Sequence, residues 1–279
     1  MIVRNESAVI RRCLESVRPF VGSWVIVDTG STDDTEQVAR ATLDGLPGEF
    51  LHREWKGFGD ARTAAFDAAR GRADYALVVD ADEVLAGSIG DLSLDAYAVW
   101  LAIGGVRYRQ LRLFRLALPW RYEGVLHEYP TTGEPFSDGD VNDLVITSAR
   151  DGARSADPKK YLRDAEVLER EVERDPSDAR NVFYLAQSYR DAGVNHRAAQ
   201  RYLERAEMGV GTNGEEVYIS LLEAGRALER LGEGDRALRC FHRAYETWPA
   251  RIEATRELAR VFTHRTATSP RQGTLFVEP

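Results

Sequence analysis

The stretch "ALVVDADEVLAG", Ala76–Gly87, decides how the chain is read, because four apolar residues run straight into Asp80, Asp82 and Glu83. A run of that kind is a buried strand. Acids crowded at its mouth repel one another and lose hydration, so something positive has to offset them, and a bound cation is the first candidate. Taken alone, an Asp-x-Asp at a strand end is more often a solvated or helix-capping pair, and the surrounding sequence has to decide.

Upstream, short apolar runs alternate with helical periodicity. In "NESAVIRRCLESV" the residues Ile10, Cys13, Leu14 and Val17 repeat on one helical face. "WVIVD" is then a strand ending in Asp28. "TGSTDDTEQVARATL" supplies a turn and a helix start, with Ser31, Thr32 and Asp33 as N-caps and Asp33 with Glu36 at capping-box spacing. "EFLHREW" reads as a strand, and "FGDARTAAFDAARG" as a helix with Ala61, Ala64, Ala65 and Ala68 on one face and Gly71 as its stop. Strand, helix, strand, helix, strand is the order of a parallel α/β sheet, and it places Asp28 and Asp80 at carboxyl ends of strands, where such sheets bind ligands. After Gly87, "AYAVWLAI" and "VRYRQLRLFRL" flank Gly104 and Gly105 as an antiparallel hairpin, so the sheet is mixed.

The ordered set "MIVRNES", "VIVDTGSTDDT", "FGDAR", "VVDADEVL" and "RLFR" followed by "YEGVLHE" resembles family 2 glycosyltransferases of the GT-A fold, over roughly the first 150 residues. One departure stands out. The family's first strand begins several residues before the "MIVRNES" position, whereas here only Met1, Ile2 and Val3 precede Arg4, so the start is truncated or the strand is unusually short. The resemblance implies a nucleotide-sugar donor, a UDP-sugar favoured, and Mn2+ or Mg2+ as cofactor. Carboxylates suit such ions, which stabilise a leaving diphosphate as Lewis acids. In the Asp80, Ala81, Asp82 motif it implies that Asp82 binds the metal and Asp80 contacts ribose or metal-bound water. It further implies donor contacts at Arg4, Asn5, Glu6, Asp28, Ser31 and Arg62, and makes His127 a third metal ligand or diphosphate contact. Glu83 is second to these or exposed. Glu128 and Glu123 are the candidates for the base that deprotonates the acceptor, with inversion implied by the family alone. Arg107, Arg109, Arg112 and Arg115 read as a solvated strand face, or else meet diphosphate or an anionic acceptor.

From Asp157 the pattern turns all helical and repeats. Setting "FYLAQSYRDAGVNHRAAQRYLERA" against "LEAGRALERLGEGDRALRCFHRA" aligns Gly193 with Gly232, Ala198 with Ala237 and Tyr202 with Phe241. The segment resembles tetratricopeptide repeats at a stretched period, with "GVGTNG" holding the extra residues, a partial helix at 161–172 before them and a capping helix at 252–262 after. The organisation expected is a GT-A catalytic domain at 1–156, tetratricopeptide-like helices at 157–264 and a tail at 265–279 that docks through Leu275, Phe276 and Val277. The short solenoid would hold an acceptor, a peptide or a second copy, or simply buttress the catalytic domain.

Composition bounds the alternatives. Apolar content of 43% and charged content of 29% are ordinary for a globular chain. The net charge of −8 disfavours a broad nucleic-acid-binding face while leaving room for a local basic patch. Cys13 and Cys240 match no disulfide or zinc spacing, there is no apolar run of ~18 residues, and "MIVRNES" lacks the apolar region of a signal peptide, which together point to the cytoplasm. A degenerate transferase domain serving as a scaffold for the repeats is a second reading, opposed by intact Asp80 and Asp82. A nucleotidyltransferase shares the α/β plan, but "MIVRNES" offers no Gly-rich triphosphate loop. The acceptor is open among saccharide, peptide, lipid-linked precursor and modified nucleobase.

Overall fold

Helical spacing of Ile10, Cys13, Leu14 and Val17 gives helix α1 (Ile10–Val17), and all four side chains are buried. It lies among the first parallel strands, β1 (Ile2–Val3), β2 (Trp24–Asp28) and β3 (Gly48–His52), which form a three-stranded sheet in the order β1-β2-β3. Helix α2 (Thr35–Thr42) connects β2 to β3, and α3 (Phe58–Ala69) follows β3. The computed structural model describes residues 1–155, 157–209 and 213–268, with side chains to Thr263. It divides into two units, Met1–Lys160 and Tyr161–Pro279, each described by itself below.

The second sheet of the first unit has five strands in the order β4-β7-β6-β10-β5. These are β4 (Tyr75–Leu77), β5 (Glu83–Gly87), β6 (Ala96–Ile103), β7 (Val106–Arg115) and β10 (Asp138–Ser148). A small ribbon, β8 (Arg121–Glu123) with β9 (Tyr129–Thr131), lies between β7 and β10 in the chain. The hairpin expected around Gly104 and Gly105 forms, and both glycines take positive φ (+54° and +85°) as a tight turn requires.

Two expectations change here. β4 does not extend the parallel sheet: it pairs only with β7, antiparallel, while β1, two residues long, pairs with β2. Between β2 and β4 lies a cavity of about 740 Å³, lined by Trp24, Val25, Leu14, Phe66, Tyr75 and Leu77 among others. Secondly, the chain re-enters the sheet directly after the acids as β5, antiparallel to β10, with Gly87 at φ +117° pressed on the Asp143 carbonyl. The capping box also fails to form. Asp33 accepts from the Thr35 amide at 3.1 Å, but Asp34 is the N-cap and Glu36 turns to Arg40 at 2.8 Å.

The core of this unit is carried by Val99, Leu101, Leu113, Leu144 and Ile146 on the strands, against Cys13 and Val17. A second cluster holds Phe66, Phe114 and Trp120, with the Phe114 and Trp120 rings 5.0 Å apart. Each such fully buried side chain contributes about 1.5–3 kcal/mol.

The second unit is a run of helices: α4 (Lys160–Arg174), α5 (Ala179–Asp191), α6 (Asn195–Glu207), α7 (Gly214–Arg230), α8 (Gly234–Thr247) and α9 (Ile252–Thr268). The aligned glycines, Gly193 and Gly232, both take left-handed φ (+75° and +80°) in the turns within the pairs α5–α6 and α7–α8. Tyr202 and Phe241, the other aligned pair, are fully buried. Asp178 caps α5 by accepting from Asn181 N–H at 3.0 Å, and Asn213 caps α7 through Glu216 N–H at 3.2 Å. A buried ion pair, Arg205 to Glu216 at 3.0 Å, ties α6 to α7. Helix α9 runs on to Thr268, past residue 265 where the tail was expected. Leu275, Phe276 and Val277 lie outside the described residues.

Candidate functional site

The three acids of the opening stretch meet three different fates. Glu83 is buried at 2% exposure, and its carboxylate accepts from the Asp80 amide (2.7 Å) and from Arg112 Nη2 (2.7 Å). Arg112 reaches it because β7 carries a bulge: Tyr97 pairs with Leu113 and Ala98 with Leu111, so Arg112 is the extra residue and is turned inward. Asp80, next to a strand end, accepts from Arg62 Nη2 at 2.7 Å, with Arg112 Nη1 at 3.9 Å from its other oxygen. Asp82 is half-buried, and no hydrogen bond or ion pair engages its carboxylate among the described residues. Two arginines therefore offset two of the acids, and the third is uncommitted. The expectation of a solvated face at Arg112 is overturned, since it is 6% exposed.

The electrostatics follow. Burial pushes the Glu83 carboxyl up to about 7, with Arg112 opposing and Asp80 adding to the rise. Burial would raise Asp80 too, but the guanidiniums of Arg62 and Arg112 overcome it and hold the group below its ordinary value. Glu6, just after β1, is raised by burial and by the charges of Asp82, Asp33 and Asp80. Its carboxylate accepts from Ala153 N–H at 3.2 Å, and Gly152 lies so close that a Cβ there would stand 3.1 Å from Glu6 Oε2 and 3.4 Å from Asp82 Cβ.

Arg62 joins this cluster to the later strands. Its Nε donates to Glu128 Oε1 at 2.8 Å, and its guanidinium lies 5.6 Å from the Tyr122 ring centroid. Helix α3 can bring it there because Gly59 packs on the Gly124 and Tyr122 carbonyls, where a Cβ would meet oxygen at 3.0 Å. Asp80, Arg62 and Glu128 are thus gathered. Glu123 is not: on the exposed ribbon its oxygens go to Arg121 (2.6 Å) and the Tyr129 hydroxyl (3.1 Å).

Arg4–Glu6 and the turn after β2 are laced together. Asn5, at φ +56°, accepts from Thr32 N–H at its side-chain Oδ1 (2.7 Å) and donates its backbone N–H to Ser31 Oγ at 2.8 Å, while Arg4 is exposed. Asp28 is 3% exposed and its carboxylate is fully engaged: Gly30 N–H, Ser31 N–H, Ser31 Oγ–H and the ring of His52 all point at it. His52, which the sequence reading passed over as strand, is the register partner of Asp28. Its signal was its place at the carboxyl end of β3.

The expected metal set of Asp80, Asp82 and His127 is not preassembled. Among the described residues no three His, Cys, Asp or Glu side chains stand where they could hold a metal ion. Asp80 is drawn onto Arg62, and His127 is exposed at a left-handed φ of +53°. The donor chemistry nevertheless fits magnesium or manganese in part, because Asp82 is free beside Glu6 and such ions commonly take one or two carboxylates with substrate phosphates completing the shell.

Residues 1–118 match the sequence model of the family described as glycosyl transferase family 2. The chain is similar to the lipopolysaccharide core biosynthesis glycosyltransferase LpsC of Rhizobium meliloti, with 31% identity over 93 residues, 33% of either chain. It is similar to the SPbeta prophage-derived glycosyltransferase SunS of Bacillus subtilis, with 24% identity over 203 residues, 66% of this chain and 47% of that one. A TPR repeat-containing protein of Synechococcus elongatus shares 44% identity over 86 residues, 30% of this chain and 20% of the relative. The alignments thus span between 20% and 47% of these relatives' own length. Among solved structures, S. aureus TarS 1–349 in complex with UDP-GlcNAc superposes with a TM-score of 0.46 and 14% identity, over 89% of this chain and 90% of that one. No helix among the described residues is long and apolar enough to cross a membrane.

Proposed function

We propose, on the premise that the first unit is a family 2 glycosyltransferase domain, that this chain moves a sugar from a nucleoside-diphosphate sugar, a UDP-sugar first, to an acceptor hydroxyl with inversion. The observation that carries the reading is Arg62 held between Asp80 and Glu128, at 2.7 and 2.8 Å, beside the uncommitted Asp82. In the reaction the anomeric carbon to diphosphate bond breaks and its electron pair leaves with the diphosphate. The acceptor oxygen bonds the anomeric carbon from the opposite face and gives up its proton.

Glu128 is the base of choice over Glu123. One of its oxygens is fixed by Arg62, so the carboxylate is oriented while the second oxygen remains to take the acceptor proton. Arg62 orients Asp80 toward the donor, and the Arg112–Glu83 pair holds the amide of Asp80 in place. Asp82, with Glu6 behind it, would hold Mn2+ or Mg2+ together with the donor's phosphates, and the ion would supply Lewis-acid stabilisation of the departing charge. The acceptor belongs to the classes left open by the sequence.

The test is calorimetry and thermal shift with UDP-, GDP- and TDP-sugars, with and without manganese, on wild type and Asp82→Ala. Metal-dependent stabilisation by a nucleotide sugar, lost in the variant, is the expected result. A folded wild type that none of them stabilises sinks the reading.

A further inference from the structure

The face of the five-stranded sheet that carries the core has one stretch left uncovered. Residues directly opposite on neighbouring strands share a face. Glu83, Ser148, Ile103 and Val106 thus form one row across β5, β10, β6 and β7, and Leu85, Ile146, Leu101 and Tyr108 form the next. Cys13 and Val17 of α1 join Leu85, Leu101 and Ile146 in the core. That cover stops short of β7: Val106 is 63% exposed and Tyr108 42%, and Gln110, opposite the buried Val99, is exposed as well.

This shelf lies at the rim that holds the acids. Asp82 stands one residue before Glu83, and its carbonyl accepts at 3.2 Å from the N–H of Ala149, one residue beyond Ser148. Arg112, on β7, reaches Glu83, on β5, at 2.7 Å although two strands lie between them. A flat sheet would hold those strands about 14 Å apart, so this one curls toward the acids. One Asp80 oxygen takes Arg62, which also holds Glu128, and Arg112 lies 3.9 Å from the other. The base chosen above, through Arg62, and β7, through Arg112, border the same carboxylate.

The chemistry of the shelf selects its occupant. Its side chains are uncharged, one aromatic ring beside the aliphatic Ile103 and Val106. Among the described residues neither the Tyr108 hydroxyl nor the Gln110 amide has a hydrogen-bond partner. The charges of the strand lie on its opposite face, where the guanidiniums of Arg107 and Arg109 stand 4.2 and 4.1 Å from the Trp100 ring centroid. An anionic ligand therefore meets no countercharge on the shelf. A ring face with unspent polar groups beside it suits a molecule that is apolar on its faces and carries hydroxyls around its edge, which describes a sugar ring.

We infer that Val106, Tyr108 and Gln110 form the acceptor subsite and that the acceptor is a neutral saccharide, one ring of which lies on Tyr108 with its hydroxyls bonded to Tyr108 Oη and the Gln110 amide. The inference rests on the transferase reading above and narrows its acceptor.

The experiment follows nucleotide release from the nucleotide sugar that binds in the screen above, with manganese, in water alone and with added acceptors. These are maltotriose, cellotriose, mannotriose and triacetylchitotriose, with a serine-containing peptide and a polyprenyl phosphate standing for the other classes. Wild type, Tyr108→Ala, Tyr108→Phe and Gln110→Ala are compared, each with a melting curve and a donor titration. At least one saccharide raises release above the rate in water, and the peptide and the lipid do not. Tyr108→Ala raises the saccharide KM about tenfold, the loss of an aromatic anchor. Tyr108→Phe and Gln110→Ala, which keep the ring and lose a hydrogen bond, raise it about threefold. All three keep the donor affinity and the rate in water of the wild type. Release stimulated only by the peptide or the lipid, a KM unmoved in Tyr108→Ala, equal losses in Tyr108→Ala and Tyr108→Phe, or a donor affinity that falls with Tyr108 overturns the inference. A wild type that binds no nucleotide sugar removes the transferase reading itself, whereas one that binds its donor and ignores every saccharide overturns the acceptor subsite alone.

Discussion

Replacing Arg112 by Met tests how the acid turn is held. The side chain is roughly conserved in length, but Glu83, 2% exposed, loses the guanidinium 2.7 Å from its carboxylate. Breaking a buried pair from one side costs about 3–5 kcal/mol, a large part of the ~5–15 kcal/mol that holds a typical domain. Glu83→Met strands Arg112 at similar cost and also orphans the Asp80 amide, for about 1–3 kcal/mol more. The double variant strands neither member of the pair, so the orphaned amide is the main remaining cost and the loss falls to about 1–3 kcal/mol. The single losses should therefore sum to about 7 kcal/mol or more, far above the double. The pH dependence has a definite sign. The folded carboxyl of Glu83 is raised from 4.5 to about 7, so the stability linked to it is fully present below pH 4.5 and is lost as pH rises through about 7. Without Arg112 that loss deepens, and the variant suffers more at pH 8 than at pH 6. Urea unfolding followed by tryptophan fluorescence is the assay, because Trp24, Trp55, Trp100 and Trp120 all report on the first unit and only Trp248 on the second. A cost below about 1 kcal/mol for Arg112→Met, or single losses that simply add in the double, refutes the clamp.

Three further outcomes are expected. Gly225→Ala gains about 1 kcal/mol of helix propensity, but its Cβ would lie 2.4 Å from Cε1 of the fully buried Phe241, an overpacking worth about 1–3 kcal/mol. The helical melt by circular dichroism should fall, and Phe241→Leu should restore it; a raised melting temperature in Gly225→Ala contradicts the packing. Burial raises the Asp33 carboxyl, but hydrogen bonds from Ser7 and Thr35 outweigh it and hold the group at about 2 against 3.8. Its contribution is thus present above pH 3.8 and lost as pH falls toward 2, and Asp33→Asn should flatten stability in that window and nowhere else. Cys13 and Cys240 are free and buried, and burial pushes Cys13 up to about 12 and raises Cys240. A thiol reagent at pH 8 should find neither in the native chain and both in urea, so rapid native labelling would show that one of them is reachable.

Local pattern was enough where the partner is near in sequence. The Gly104–Gly105 hairpin, the helix through Ile10 and Val17, and the turns at Gly193 and Gly232 were all legible, because period and glycine position carry them. β5 was not, since Glu83–Gly87 is a strand only by virtue of β10, which comes near the end of the first unit. Arg112 was misread for a subtler reason. Arg107 and Arg109 keep the two-residue alternation of a strand face, and the next arginine breaks it, which is the mark of the bulge that turns Arg112 inward. Of the site, Asp80, Arg62 and Glu128 were named from the sequence and are drawn together, whereas the saturation of Asp28 by its own turn and by His52 follows only from three-dimensional packing.

The two units also differ in how far along the chain their contacts reach. In the second, α5 packs on α6, α6 on α7, α7 on α8 and α8 on α9. In the first, β10 must find both β5 and β6, and β7 must find β4. Chain ends that meet locally close quickly, while distant pairings cost loop entropy before any contact repays it. Refolding from denaturant should accordingly run at two speeds, helical signal returning first and the fluorescence of the sheet tryptophans later, with the acid turn among the last parts to acquire its shape.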